Sequence, residues 1–541
     1  MSGAALVTQA LADAGVKTIF SLSGNQIMPI YDACIDVGIR IVHVRHEAAA
    51  VHMADAWSQI TGQVGVALLT AAPGLANGLA PLYSARLAES PVLLLSGDSP
   101  LKSDGMGAFQ ELAQTQITQA LVKQARRATQ ASELGRDVAW AISEALSGRP
   151  GPVHLALPFD LLTQPADPGR LERAPAQRRS SKPDAASVDL IAGLLAAAER
   201  PLVLTGPSNN RSRAHALLQR VVEATGAPVV PMESPRGLRD PSLGAFAESL
   251  AAADLIVLAG KIIDFTVDFG REPSWHPDAK AVVIDPDPAV IERARRLLGA
   301  RLAACVHADA DETLAALAAS GPHPRRVAWN AAVAESCALR GAPEAASDKI
   351  SPRALCNAVQ RVLEQAKDPI LVCDGGEFGQ WAQAYCTAPT RLVNGMSGAI
   401  GGGICHAIAA KIARPDATVV LLMGDGTAGF HLTEFDTAVR ENAPFLAVIG
   451  NDYRWNAEHV IQLREYGPDR LIGCTLSPSA RYDAAAQALG GFGAQVLQRG
   501  DLDAVLSRAL QSNRPACVNV EIEGRPAPGF GTGGASTPSV H

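Results

Sequence analysis

Asp425, Asn451 and Asp452 are the side chains whose types and spacing first suggest chemistry. A continuous apolar run at 419–423 suits a strand buried on both faces, and it stops at Gly424-Asp425-Gly426. The glycines permit a tight turn, which leaves Asp425 just past the carboxyl end of the strand, where open α/β sheets place their ligands. A helical pattern follows at 433–441, and a second apolar run at 445–449 leads into Gly450-Asn451-Asp452. This strand, helix, strand unit brings Asp425 and the Asn451/Asp452 pair to one sheet edge. Carboxylate and amide oxygens converging there suit a hard divalent ion such as Mg2+, which commonly takes one or two carboxylates plus ligand phosphates.

The elements that must position these groups occupy a long chain. Its 541 residues predict about three domains. With 48% hydrophobic and 19% charged residues, 48 Gly and 36 Pro, the composition fits a compact α/β enzyme rather than a disordered or fibrous chain. A formal charge of −7 offers neither a basic footprint for nucleic acid nor an acidic tail, so small molecules and other subunits are the expected partners. Nine cysteines without CxxC spacing read as reduced thiols in a cytoplasmic protein. The first residues read as an amphipathic helix rather than a signal peptide. The charge-free stretch 392–410 contains five glycines between Gly395 and Gly403, which suits a close-approach loop better than a membrane helix.

Taken in order, strands are expected at 18–22, 40–44, 64–70, 92–96 and 152–158, with helices at 4–14 and 48–59 and a loop at 71–77. Further strands are expected at 201–205, 254–259, 281–285, 370–373 and 516–521. Strands alternating with helices imply parallel sheets. Polar, proline-containing linkers at 165–185 and 341–351 separate domains at 1–165, 186–340 and 350–525, followed by a Gly/Ser/Thr/Pro-rich tail at 526–541 expected to be mobile.

GDG followed about 27 residues later by an Asn/Asp pair resembles the thiamine diphosphate signature. Independently, the segment RHEAAAVHMADAWSQITGQVGVALLTAAPGLANGLAPLYSARLAESPVLLLSG resembles the pyrimidine-binding domain of the acetolactate synthase, pyruvate decarboxylase and benzaldehyde lyase family. The two motifs stand in the family's order, and with the linking segments the likeness spans nearly the whole chain. It implies an α/β fold of three doubly wound parallel-sheet domains: pyrimidine-binding, Rossmann-like central, and diphosphate-binding.

The same resemblance implies cofactors and roles. Asp425, Asp452 and the backbone carbonyl of Arg454 would hold Mg2+, which holds the diphosphate of thiamine diphosphate; Asp452 stands where the family usually has Asn. Glu47 would hydrogen-bond the aminopyrimidine as a carboxyl kept protonated by an apolar pocket. Asn25 and Gln110 would face the thiazolium and exchange hydrogen bonds with a substrate oxygen. The loop 374–378 would touch the diphosphate through Gly376, Glu377 and Phe378. Gly398 would present its carbonyl to the pyrimidine amino group, and Ile400 would prop the cofactor in its bent form. Asn77, Gly426, Thr427 and Trp455 complete the cofactor-binding set. Glu458, six residues past Asp452, matches a catalytic glutamate of the decarboxylases and is the candidate for proton transfer with substrate.

The paired histidines of the pyruvate decarboxylases are missing from the first domain, which weakens a simple decarboxylase reading. Segment 260–265, Gly-Lys-Ile-Ile-Asp-Phe, lacks the Arg-Phe-Asp-Asp-Arg run associated with FAD in acetolactate synthases, so the central domain reads as scaffold without FAD. The expected activity is cleavage or ligation of 2-hydroxy ketones or decarboxylation of 2-oxo acids with carboligation, on sites shared between subunits of a homodimer or homotetramer. The alternatives are a 2-hydroxyacyl-CoA lyase or an oxalyl-CoA decarboxylase-like enzyme, and, from another class, a non-catalytic homologue.

Overall fold

The computed structural model describes residues 1–166, 176–321, 326–341 and 349–530. Three all-parallel sheets organise them. The first contains β1 (Thr18–Ser21), β2 (Arg40–His43), β3 (Gly65–Leu69), β4 (Val92–Asp98), β5 (Gln124–Arg127) and β6 (Val153–Pro158), in the order β2-β1-β3-β4-β6-β5. A second, five-stranded sheet is built from β7 (Pro201–Thr205), β8 (Val229–Pro231), β9 (Leu255–Ala259), β10 (Lys280–Ile284) and β11 (Leu302–Val306), ordered β11-β10-β9-β7-β8. The third holds β12 (Pro369–Asp374), β13 (Thr390–Val393), β14 (Thr418–Gly424), β15 (Leu446–Asn451), β16 (Phe492–Val496) and β17 (Ala516–Glu521), ordered β13-β12-β14-β15-β17-β16.

Hydrophobic pattern explains strand position. β3, β4 and β6 are buried at every residue, as both faces of an interior parallel strand must be, whereas the edge strands β2 and β5 carry Arg40, Gln124 and Arg126 and are partly exposed. First and third sheets repeat one topology, in which the strand order reverses between β1 and β3 and again between β12 and β14. Ligands of open α/β sheets bind in the crevice at such a reversal, beyond the carboxyl ends of the strands. Both sheets belong to one compact unit (Met1–Arg179, Lys349–Gly379 and Thr387–Gly524); the five-stranded sheet belongs to the other.

Within the first unit a shared core joins the two sheets. Helix Glu47–Thr61 contributes Ala49, Ala50, Met53, Ala54 and Ala56, and helix Gly403–Ala413 contributes Ile404, Ala407, Ile408 and Ala410. Small residues on both faces let the backbones approach closely, so alanine here sets packing distance as well as helix propensity. Thus the helix that begins at Glu47 is anchored from behind by the domain that carries Asp425.

Several local expectations need correction. The 71–77 segment contains a short helix, Pro73–Asn77, with proline at its first position, where the missing N–H costs nothing. The 374–378 segment is not a loop: Gly375 and Gly376 turn the chain at φ 55° and 48°, and helix Gly376–Tyr385 begins there, carrying Glu377 in its first turn. The chain turns at GDG without left-handed backbone, since Gly424 and Gly426 keep negative φ and Asp425 opens a one-turn helix, Asp425–Ala428. β15 continues through Asn451. Helix Gly403–Ala413 takes up the second half of the 392–410 stretch, and among the described residues no helix is long and apolar enough to cross a membrane. Much of both linkers and the tail from 531 onward lie outside the described residues.

Candidate active site

Asp425 sits at the crevice between β12 and β14, 3% exposed, with its Oδ2 buried and without a hydrogen-bond partner. Backbone N–H groups of Gly426 and Arg454 face the carboxylate, yet burial, reinforced by the charge of Asp452, pushes its pKa up to about 7. Asp452 is raised to about 6 by burial, an effect that neighbouring Arg454 partly offsets. Two carboxylates forced together in a half-dry crevice, one with an orphaned oxygen, are what a divalent cation relieves. Asn451, by contrast, is committed to structure: its Nδ2 donates to Asn519 Oδ1 at 3.1 Å and its Oδ1 accepts from the Tyr453 N–H at 3.1 Å.

The segment after Asp452 is held so that Arg454 can add a third oxygen. Tyr453 adopts φ 59°, its carbonyl accepts from the Leu476 N–H at 2.8 Å, and the Trp455 N–H donates to the Cys474 carbonyl at 2.9 Å. In this antiparallel bridge between Arg454 and Thr475 the backbone groups of Arg454 itself face away from the pairing, and its N–H meets Asp425. The neighbouring carbonyl on that edge is a ready ligand. Asp425, Asp452 and this carbonyl therefore fit Mg2+, with phosphate and water left to complete its shell. Among the described residues no group of three or more His, Cys, Asp or Glu side chains is arranged to hold a metal unaided.

Close packing shapes the crevice floor. A Cβ on Gly426 would lie 2.6 Å from the Trp455 indole, and one on Gly450 would lie 2.6 Å from the Phe378 ring. These glycines serve close approach rather than turn geometry. Phe378, 5% exposed, packs its ring on Gly450 of β15. Thr427, also buried, lies against Gly375, and Ile400 packs on the same glycine, while Gly398 stands exposed at φ 81°. Behind them, fully buried Asp374 accepts from Asn394 Nδ2 (2.7 Å) and the N–H groups of Gly401 (3.2 Å) and Gly403 (2.6 Å), which braces the glycine loop against the sheet.

On the first sheet, Glu47 is the first residue of its helix rather than a strand end, with His46 capping it through Nδ1, which accepts from the Ala48 N–H at 3.1 Å. Its carboxylate is half-buried and accepts from Asn77 Nδ2 at 2.9 Å, so its hydrogen-bond partner within this chain is an amide. Asn77 is thereby engaged with Glu47. Asn25 is exposed in the turn after β1, and Gln110, at φ 59°, accepts from Gln26 Nε2 at 2.6 Å. Glu458 is exposed on helix Asn456–Tyr466, in its first turn.

Other residues emerge only in the structure. Glu434, fully buried on the third domain's helix Glu434–Arg440, accepts from the Arg45 N–H at 2.9 Å and from Thr437 Oγ1 at 2.6 Å, and also faces the His46 N–H. It ties the segment entering Glu47 to the domain of Asp425. An acid inside the apolar pattern Leu432-Thr433-Glu434-Phe435 was the available signal. Buried imidazoles also cluster here: His52 of helix Glu47–Thr61 lies 5.6 Å from both His406 of helix Gly403–Ala413 and His431, and burial depresses all three pKa values, His431 to about 4.

Two like-built α/β domains, one with an acid and amides at its strand reversal and the other with two crowded carboxylates, define a cofactor-dependent enzyme class. Three family models match: the N-terminal TPP binding domain of thiamine pyrophosphate enzymes over residues 1–117, their central domain over 188–317 and their C-terminal TPP binding domain over 374–520. The chain belongs to the thiamine pyrophosphate enzyme family. It is 34% identical over 538 residues to a "Probable acetolactate synthase" of Mycobacterium bovis, covering 96% of this chain and 95% of the relative. A "2-hydroxyacyl-CoA lyase" of Oryza sativa is 28% identical over 567 residues (97% and 96%), and a "2-hydroxyacyl-CoA lyase 2" of Bos taurus is 32% identical over 578 residues (94% and 88%).

Proposed function

We propose that this chain is a thiamine diphosphate- and Mg2+-dependent carboligase or lyase that makes or breaks the carbon to carbon bond beside a carbonyl in 2-hydroxy ketones or 2-oxo acids. The observation that carries the reading is the orphaned Asp425 oxygen beside Asp452 and the Arg454 backbone, on a chain of this family. Bound thiamine diphosphate supplies the carbon nucleophile and the electron sink that such bond changes need. Asp425, Asp452 and the Arg454 carbonyl would hold Mg2+ and through it the diphosphate, and Gly376, Glu377, Phe378, Gly426, Thr427 and Trp455 would line that end. Gly398, Ile400 and Asn77 serve the pyrimidine side, and Glu47 holds the proton that activates the ring. Asn25 and Gln110 orient the substrate oxygen, and Glu458 moves a proton at the substrate carbon or oxygen. Enclosure of Glu47 comes from a second copy of the chain, in a homodimer or homotetramer with shared sites. The domains run 1–165, 186–340 and 350–525.

The nine cysteines, none disulfide-bonded and seven buried, support a cytoplasmic home. Operation without FAD is part of this proposal, on the ground that segment 260–265 lacks the Arg-Phe-Asp-Asp-Arg run. A second reading, 2-hydroxyacyl-CoA cleavage, is favoured by the near full-length likeness to the rice and bovine proteins. Assay of the holoenzyme against 2-oxo acids, 2-hydroxy ketones and 2-hydroxyacyl-CoA thioesters separates them. Turnover of thioesters alone would overturn the first reading, and inertness toward all three classes would overturn both.

A further inference from the structure

The carboxyl ends of β1, β3 and β4 lie side by side at the first sheet's strand reversal, and three side chains there form one hydrogen-bond chain. Thr70, immediately past β3, donates from Oγ1 to Gln26 Oε1 at 2.7 Å. Gln26, in the turn after β1, donates from Nε2 to Gln110 Oε1 at 2.6 Å. We propose that Gln26 is a positioning residue which, oriented by Thr70, turns the amide of Gln110 so that its NH2 group faces the substrate and serves as a hydrogen-bond donor to the reacting carbonyl oxygen. This rests on the reading of Gln110 as substrate-facing and adds to it the direction of the bond and the residue that sets it.

Burial makes the arrangement stiff. Gln26 is 6% exposed, and its Cβ is packed so tightly on Gly97 of β4 that a Cβ there would lie 2.7 Å away. Thr70 is wedged between Gly24 and Gly74, where an added Cβ would come within 2.3 Å and 2.6 Å of its side chain. A buried amide that loses its partner bears the full desolvation penalty, so Gln26 holds both ends of its bonding pattern. The Gln110 segment is fixed from its own side as well. Glu111 accepts the N–H groups of Gly105 (2.6 Å), Gly107 (2.9 Å) and Ala108 (3.0 Å). Gln114, 2% exposed, accepts from the Ala72 N–H and donates to the Gly97 carbonyl, both at 2.9 Å. Held this way, Gln110 keeps φ 59° and commits its oxygen inward. The only polar group it has left is a donor, which suits the negative charge that develops on a carbonyl oxygen as a nucleophile adds to its carbon.

Reversing the chain would present the Gln110 oxygen instead, and Gln26→Glu separates the two directions. Assayed at alkaline pH, where the buried carboxyl is ionised, Gln26→Glu accepts on both sides; it must draw the Gln110 NH2 inward and leave an acceptor facing substrate. Removing a donor to such an oxygen typically costs about 100- to 1000-fold in kcat, so Gln26→Glu should lose about 100-fold, and Gln26→Leu, which only frees Gln110, about 10-fold. Thr70→Val should fall with Gln26→Leu, and Thr70→Ser should recover most of the loss. These losses should appear in kcat, with calorimetric affinity for thiamine diphosphate kept and the melting transition still cooperative and lowered only by a few degrees, as loss of one buried partner requires.

A second measurement needs no turnover. In glutamine-15N-labelled protein without cofactor, the side-chain amide protons of Gln26 should exchange with solvent slowly and those of Gln110 fast, and Thr70→Val should release Gln26. Protected Gln110 amide protons, or Gln26→Glu turning over like the parent, would overturn the proposal. If the parent acts on no substrate in the panel, the functional reading fails while amide exchange still decides the chain's direction.

Discussion

Asp425→Asn in the cofactor-free protein tests whether this crevice is built to receive a cation. Between pH 3.8 and about 7 the folded chain keeps a proton on Asp425 that the unfolded chain has released, because burial and Asp452 disfavour the anion. Unfolding free energy therefore falls as pH rises through this window; the penalty is full above it and vanishes below it. Each pH unit between the two titrations is worth about 1.4 kcal/mol, so the ionised carboxylate costs the fold about 4 kcal/mol at pH 8. Asparagine removes that charge and also relieves Asp452. Allowing for repulsion shared between the two groups, the variant should be more stable by about 2 to 4 kcal/mol at pH 8 in chelator, and by little at pH 4. Urea unfolding at several pH values measures this. With Mg2+ and thiamine diphosphate added the order should invert, since ligand that binds only the folded parent stabilises only the parent. A variant no more stable than the parent at pH 8, or an advantage independent of pH, would refute the reasoning.

Other outcomes follow from neighbouring geometry. Gly426→Ala pushes against the Trp455 ring, and overpacking of this kind costs about 1 to 3 kcal/mol; a changed tryptophan emission and weaker calorimetric binding of thiamine diphosphate are expected. Asp374→Ala orphans the Asn394 amide and the N–H groups of Gly401 and Gly403, for a loss of about 3 kcal/mol or more by urea unfolding, and a variant within about 1 kcal/mol of the parent would show the brace to be dispensable. Glu47→Gln should slow proton exchange at the cofactor's reactive carbon, whereas Glu458→Gln should leave that exchange intact and lower turnover about 100-fold, as for a lost general acid or base; parental turnover would make Glu458 a bystander. Mixing inactive Glu47→Gln with inactive Asp425→Ala protein should restore activity once subunits exchange, and exchanged but inactive hybrids would argue against shared sites.

What the sequence determined by itself is whatever depends on local pattern. Continuous apolar runs announced β3, β7 and β14 because a strand buried on both faces has no polar alternation to disguise it, and β7 and β17 match the expected bounds residue for residue. The alternation of strands with helices implied parallel sheets, and the two ordered motifs implied the family. Partnerships across the fold were left to tertiary structure. Nothing near Asn451 in sequence shows that Asn519 claims its amide, nor that Phe378 must fill the space above Gly450. Glu434 becomes a tether for the Glu47 segment only when two sheets sharing one core bring residues 389 apart in sequence to 2.9 Å. Gln26 is likewise an ordinary turn residue until β1 and β3 pair and set it between Thr70 and Gln110. Side-chain type is written along the chain, but the partner that gives a buried polar group its direction is chosen by topology.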